Sequence, residues 1–421
     1  MSLLKNIVVL MTGTVVSQLI ILVSSPLITH IYSPDNLGKF AIYFSIASII
    51  SIISTGKYEE AIPLPKSDFR ALLLTLASIS LNIAITIIYL FVFNLAVCLF
   101  PSFFSSFSLG RLEINLICLA SLLLSIGNIF VYWFIRNHKF SNISQNKIVQ
   151  STSNVALSII LGYFIKTFGL IISDLLSRFF SALSFFLKFK EDKNFIKFFN
   201  FSSSKIKFSL LVSQLKIYIN YPKYIVPGSL MNVLARQLPI IVMTFYLTPH
   251  ISGLMMMSQR IILGPLGIIT ESLSKAVLSP MANQLRINGE CWNLYKKGLI
   301  YLALIPLPIL VLGFVFFDSI VKIFFGNEWR ELTHVVFIFS PYFYLNLVSS
   351  PLSIIYIAAG KQRVSLFMQT LFLITTSLSL GIILLFNMNE FQSLWILSIS
   401  YSLYYICSLI VSALLAKGFF N

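Results

Sequence analysis

The chain has 421 residues, 57% of them hydrophobic and 10% charged, with a mean hydropathy of +0.89. A soluble protein would carry about 25% charged residues, so a soluble fold is excluded and the bilayer is read as the solvent. The net charge of +16 then bears on which side of the membrane the basic residues fall, and no nucleic-acid role is expected.

Apolar runs long enough to cross a hydrocarbon core of about 30 Å recur from end to end. They predict twelve spans, near 8–31, 38–56, 71–99, 112–135, 148–165, 168–188, 224–247, 251–283, 298–324, 333–357, 364–386 and 391–416. The first is too long for a signal-peptide core and lacks a small-residue cleavage site, so it is expected to stay as a span. Turn signals fall at Ser33-Pro34-Asp35, Pro101-Ser102, Thr248-Pro249 and Gly360-Lys361. The longest connection, 189–223, is rich in Lys, Ser and Phe, and its segment SKIKFSLLVSQLK is expected to lie along the membrane surface. The predicted organisation is an N-terminal lobe over 1–188, a linker over 189–223 and a C-terminal lobe over 224–421.

With the N-terminus inside, cytoplasmic segments hold 21 of the 30 Lys and Arg residues. Outer loops hold Lys39, Arg111, Lys166 and Arg330, and the spans themselves hold Arg178, Arg236, Arg260, Lys275 and Lys322. This bias predicts a multi-pass protein with both termini cytoplasmic. Cys98, Cys118, Cys291 and Cys407 show no paired spacing and read as small buried residues without a disulfide. His30, His138, His250 and His334 are scattered and form no metal pattern.

An internal repeat appears at a constant offset of 215. Gly13 maps to Gly228, Ser33 to Thr248, Pro34 to Pro249 and Gly38 to Gly253. Ala61, Ile62 and Pro65 then map to Ala276, Val277 and Pro280. Spans one and two thus align without gaps onto spans seven and eight, and both copies run the same way. Parallel repeats of this kind build two related lobes with a substrate site between them.

The eighth span, in the stretch QRIILGPLGIITESLSKAVLSP (259–280), carries three charges where each costs roughly 2.5–3.5 kcal/mol near the bilayer centre. On a helix Arg260, Gly264, Gly267, Glu271, Ser274 and Lys275 fall within roughly 100° of arc, opposite Ile262, Leu263, Leu266, Ile269 and Leu273. Such a stripe suits the wall of a watery cavity or a packed polar seam and cannot face lipid. Glu271 and Lys275 are spaced to pair, either structurally or as part of that wall, while Arg260 has no charged neighbour one turn away. Gly264, Pro265 and Gly267 would let this span bend.

Span seven places Asn232, Ala235, Arg236 and Pro239 on one side, with Arg236 near mid-membrane. Span one has a mild polar face of Thr14, Gln18, Ser25 and Thr29, which tight packing explains equally well. Asp174 and Arg178 in span six are spaced to neutralise each other. Lys57, Glu59 and Glu60, at the inner end of span two, read either as solvated loop charges or as an inner gate. The wall charges are mainly cationic, so the expected cargo is anionic. Arginine binds phosphate bidentately, so a pyrophosphate head group would offset much of the burial cost. Gln18, Asn232 and Gln237 offer amides to sugars. No Walker-type loop, nucleophile elbow or acidic metal cluster is present, which argues against primary ATP-driven transport and against an enzyme.

The stretch from Leu3 through Pro65, with Ser25-Pro26, Thr29, Tyr32-Ser33-Pro34, Gly38-Lys39-Phe40 and Tyr58-Glu59, resembles the N-terminus of Wzx-type O-antigen flippases, in the polysaccharide transporter branch of the MATE-like (MOP) superfamily. YPKYIVPGSLMNVLARQLPIIVM, followed by Gly253, Arg260 and Pro265, is similar to the start of that family's second lobe. Lys57, where the family often has Arg, and the extra acid Glu60 depart from its pattern. The resemblance implies an all-α integral membrane protein of two six-helix lobes around a cavity lined by spans one, two, seven and eight. It also implies a bacterial inner-membrane location and a cargo of undecaprenyl-pyrophosphate-linked oligosaccharide, moved from the cytoplasmic to the periplasmic leaflet. A polysaccharide polymerase and a chain-length regulator are the partners it suggests, beside membrane lipids.

The resulting expectation is an alternating-access transporter without a cofactor. Arg260, Arg236, Asn232, Gln18, Gln237 and Lys275 would hold the substrate. Glu271, Asp174, Arg178, Lys57, Glu60, Gly264, Gly267 and Pro265 would serve coupling, to a proton or sodium gradient, or gating. A drug exporter of the same architecture would be expected to show an acidic, aromatic cavity. A polymerase or ligase would carry a large outer loop with essential arginines, and a scaffold would not need mid-depth arginines.

Overall fold

A computed structural model describes residues 3–101, 110–192, 195, 208–304 and 306–419. The described chain is all-helical. In chain order it forms α1 (Leu3–Ile31), α2 (Pro34–Thr55), α3 (Asp68–Leu99), α4 (Arg111–Arg136), α5 (Phe140–Phe164), α6 (Lys166–Lys190) and α7 (Phe208–Ile217). There follow α8 (Val226–Tyr246), α9 (Pro249–Asn288), α10 (Trp292–Leu304), α11 (Pro306–Phe324), α12 (Leu332–Leu352), α13 (Gln362–Leu385) and α14 (Glu390–Ala416).

Ten helical segments among the described residues are long and apolar enough to cross a membrane. Two of the twelve predicted spans fall outside those ten. The span at 148–165 lies in α5, whose first half carries Asn142, Gln145, Asn146, Lys147 and Gln150. The span at 298–324 is divided between α10 and α11, on either side of residue 305. Within the predicted linker the described helix is α7, with Leu211 and Leu215 packed against a core of α3, α4 and α6. The first residues of the predicted surface segment, 204–207, and Ser102 of one predicted turn lie outside the described residues.

The chain forms two compact units, residues 1–21 with 40–233 and residues 22–39 with 234–421. In the first unit, Leu72, Leu74, Ile129, Trp133, Phe134 and Phe189 are buried together with the short turn Tyr58–Ala61. The aromatic rings interlock, Trp133 meeting Phe189 edge-on at 5.2 Å, a geometry that adds attraction beyond area burial. In the second unit, Met281, Tyr295, Leu352, Ile355 and Leu415 form the core. The hydroxyl of Tyr295 lies 2.7 Å from that of Ser412. Cys118 and Cys291 are buried free thiols, as their size suggests, whereas Cys98 at the end of α3 is exposed.

The second unit holds the clearest trace of the repeat. Both α2 and α9 begin with a hydroxyl cap followed by proline at the first helical position: Ser33 Oγ accepts from the Asn36 N–H at 3.4 Å and Thr248 Oγ1 from the Ile251 N–H at 3.5 Å. The two helix starts touch each other reciprocally. A Cβ at Gly38 would sit 1.8 Å from the Pro249 carbonyl oxygen, and one at Gly253 would sit 1.9 Å from that of Pro34. Only glycine permits so close a backbone approach. Beside this contact His250 lies between two carboxylates, Nδ1 3.5 Å from Asp35 and Nε2 3.2 Å from Glu331. Buried Trp329 donates its indole N–H to the carbonyls of Thr29 and Tyr32, at 3.0 and 3.3 Å.

Beyond this start the two copies part. Gly56 and Lys57 take positive φ, 56° and 59°, and end α2. Their offset counterparts, Glu271 and Ser272, stay helical, and α9 runs on to Asn288. Sequence matches at 61 and 276 therefore fall on different local structures, a short 3₁₀ turn in one copy and a continuous helix in the other.

Candidate functional site

In the first unit α1, α2, α5 and α6 line an open cavity of about 290 Å³, with Thr14, Ser17, Gln18, Phe40, Lys147, Gln150, Asn154, Asp174, Ser177 and Arg178 among its wall residues. Three predicted residues thus meet here: Gln18, Asp174 and Arg178. The last two form the ion pair their spacing suggests, with Arg178 Nε 2.7 Å from Asp174 Oδ2. Tyr43 donates its hydroxyl to the same carboxylate oxygen at 3.4 Å, and the Arg178 guanidinium lies 5.7 Å from the centre of the Phe44 ring. Both charges are almost fully buried. Such a pair survives burial because each member neutralises the other, and the Tyr43 hydroxyl adds a hydrogen bond to the carboxylate.

Lys147, the last residue of the connection predicted before span five, stands two turns into α5 and donates to the Thr14 hydroxyl at 2.9 Å. Gln150 and Asn154 follow on the same face of α5, at the three- and seven-residue spacing of a helical stripe. Asn154 Nδ2 donates to Ser177 Oγ at 3.4 Å. Gln18 and Gln150 are half-buried, and their carboxamides have no partner among the described residues. The polar stripe on α5 was the signal that would have identified this wall.

In the second unit the two predicted arginines differ in setting. Arg236 on α8 is exposed, with the phenols of Tyr342, Tyr401, Tyr404 and Tyr405 within its electrostatic reach. Asn346 Nδ2 donates to the Tyr405 hydroxyl at 2.7 Å. Pattern reading passed over these tyrosines, which lie far from Arg236 in the chain on α12 and α14. Arg260 on α9 is half-buried, and its Nε is buried without a hydrogen-bond partner. Neither arginine forms an ion pair among the described residues. Gln237 is half-buried on α8, as is Asn232 on the part of that helix that belongs to the first unit, and Glu271 is exposed on α9. The side chain of Lys275 lies outside the described residues, and with it the predicted pairing to Glu271. Gly264, Pro265 and Gly267 sit within one unbroken helix, where a Cβ at Gly267 would meet open space.

Lys57 and Glu60 come together in the turn after α2, with Lys57 Nζ 3.0 Å from Glu60 Oε1 and 3.9 Å from Glu59 Oε1. Glu59 is not a solvated loop charge: it is 2% exposed and its Oε2 has no partner among the described residues. Burial holds its carboxyl above the ordinary 4.5, against the lowering effect of the Thr55 hydroxyl and the Lys57 ammonium.

The sequence profile of the family described as polysaccharide biosynthesis protein matches residues 27–334. No curated protein matches the chain significantly. Among solved structures, the lipid II flippase MurJ in an inward closed conformation is similar at 15% identity, covering 97% of this chain and 90% of that one, with a TM-score of 0.71. The inward-facing conformation of a multidrug resistance MATE family transporter of the MOP superfamily is similar at 14% identity, covering 97% and 94%, with a TM-score of 0.66. A MOP superfamily transporter from Pyrococcus furiosus, described as having a binding pocket of reversed polarity, is similar at 13% identity over 97% and 93%, with a TM-score of 0.56. These likenesses give the chain the all-α, MATE-like membrane fold.

Proposed function

Since the chain belongs to the polysaccharide biosynthesis protein family, we propose that it is a flippase that carries an undecaprenyl-pyrophosphate-linked oligosaccharide, such as an O-antigen repeat unit, across the bacterial cytoplasmic membrane. The head group is taken up from the cytoplasmic leaflet and released at the periplasmic one by alternating access, while the polyprenyl tail stays in lipid. Both termini are cytoplasmic in this reading.

The observation that carries it is Arg260. A buried guanidinium nitrogen with no partner, on a helix apolar enough to span a membrane, is expensive unless a ligand completes it. Arg236, which likewise pairs with no carboxylate among the described residues, adds a second cation. A pyrophosphate supplies acceptors that match guanidinium geometry. Gln237 and Lys275 are assigned to the same head group, Lys57 and Glu60 to an inner gate, and Glu271 to ion coupling. A cation exporter would meet two unneutralised arginines, which favours the anionic cargo.

The test is complementation of a flippase-null strain. The parent chain is expected to restore surface polysaccharide and to clear lipid-linked sugar accumulated in the inner leaflet. Arg260→Ala and Arg236→Ala, expressed at parental level, are expected to lose most of that activity. Normal polysaccharide from both variants would overturn the proposed binding site.

A further inference from the structure

The cavity of the first unit contains more than its ion pair needs. Asp174 is engaged by Arg178 and Tyr43, and Lys147 is engaged by Thr14. The cavity still presents two carboxamides, Gln18 and Gln150, without partners among the described residues, and the Phe40 ring lines the same space. We infer that this cavity is a binding site for one neutral hexopyranose unit of the carried oligosaccharide, held by Gln18 and Gln150 with its apolar face on Phe40. The inference rests on the flippase reading and assigns a second contact point, within one unit, that the arginines do not provide.

Three observations select this ligand class. The volume, about 290 Å³, falls just short of the roughly 300–1,000 Å³ of small-molecule pockets, which suits one ring and not an oligosaccharide. A carboxamide both donates and accepts, as a sugar hydroxyl does. A phosphate only accepts, so half of each amide would face it unsatisfied. A metal cation is disfavoured, because Lys147 and Arg178 outnumber Asp174 among the lining charges.

The experiment uses the purified full chain in lipid nanodiscs, with the methyl glycosides of glucose, galactose and N-acetylglucosamine as probes, followed by saturation-transfer NMR. At least one glycoside is expected to bind saturably with about millimolar affinity. Gln150→Leu and Gln18→Leu, of nearly unchanged volume, are expected to weaken it about tenfold each, the effect of one lost hydrogen bond. Phe40→Leu keeps the polar contacts and is expected to weaken all binding glycosides alike. Unchanged thermal unfolding serves as the folding control for each variant. Arg260→Ala is expected to bind the glycoside as the parent does, so a failed complementation and a failed sugar site are told apart. Absence of binding for all three glycosides, or binding that both glutamine variants leave intact, would overturn the proposal.

Discussion

At Gly38 and Gly253 a single methyl group decides whether two helix starts can meet. Because the obstacle in each case is a carbonyl oxygen of the backbone, neither side can yield by a rotamer change. Gly38→Ala and Gly253→Ala are each expected to cost about 1–3 kcal/mol or more, read as a lowered unfolding temperature of the purified protein. Glu59 gives a pH-dependent counterpart. Its folded-state carboxyl titrates above the ordinary 4.5, so the stability it contributes is complete below about 4.5 and is lost as pH rises through the folded value. Lowering pH from neutral is therefore expected to raise the unfolding temperature of the parent. Glu59→Gln is expected to stabilise the protein near neutral pH and to flatten that dependence. Parallel pH profiles for parent and variant would show that the buried carboxyl does not carry it.

Among the elements, α9 invites the sharpest test. Its glycine at 267 has open space where a Cβ would stand, and in a helix interior alanine is favoured over glycine by about 1 kcal/mol. Gly267→Ala is thus expected to leave folding unharmed. If the helix must bend at Gly264-Pro265-Gly267 during transport, the same variant is expected to slow complementation, and full activity would remove the hinge role. The helix starts themselves were readable: Ser33-Pro34 and Thr248-Pro249 carry local capping chemistry that acts within one turn. Asp174 and Arg178 were readable for the same reason, since one helical turn brings them together. Gln18 could be seen to lie on a polar face, but its cavity neighbours Lys147 and Gln150 lie on another helix far along the chain. Only tertiary packing joins them, and no local rule encodes that. The tyrosines around Arg236 were hidden likewise, because aromatic residues in apolar helices look like ordinary core.

For the whole molecule, the basic residues predict topology as well as function. Single cysteines placed at Lys166 or Arg330, in a background with Cys98→Ser, are expected to react with a membrane-impermeant maleimide in intact spheroplasts. Cysteines at Lys139 or Arg286 are expected to react only after the membrane is opened. The reverse pattern would invert the proposed orientation and the direction of transport with it. The mutual glycine contact also bears on descent. When separate identical chains pair about a two-fold axis, residue i meets j and j meets i; Pro34 with Gly253 and Pro249 with Gly38 obey that rule inside one polypeptide. A half-length ancestor docking onto its own copy would have made both contacts with one proline and one glycine. It would also have set identical side chains face to face where Asp35 and His250 now lie 3.5 Å apart. In one polypeptide the two positions are free to differ, an acid on one side and an imidazole on the other.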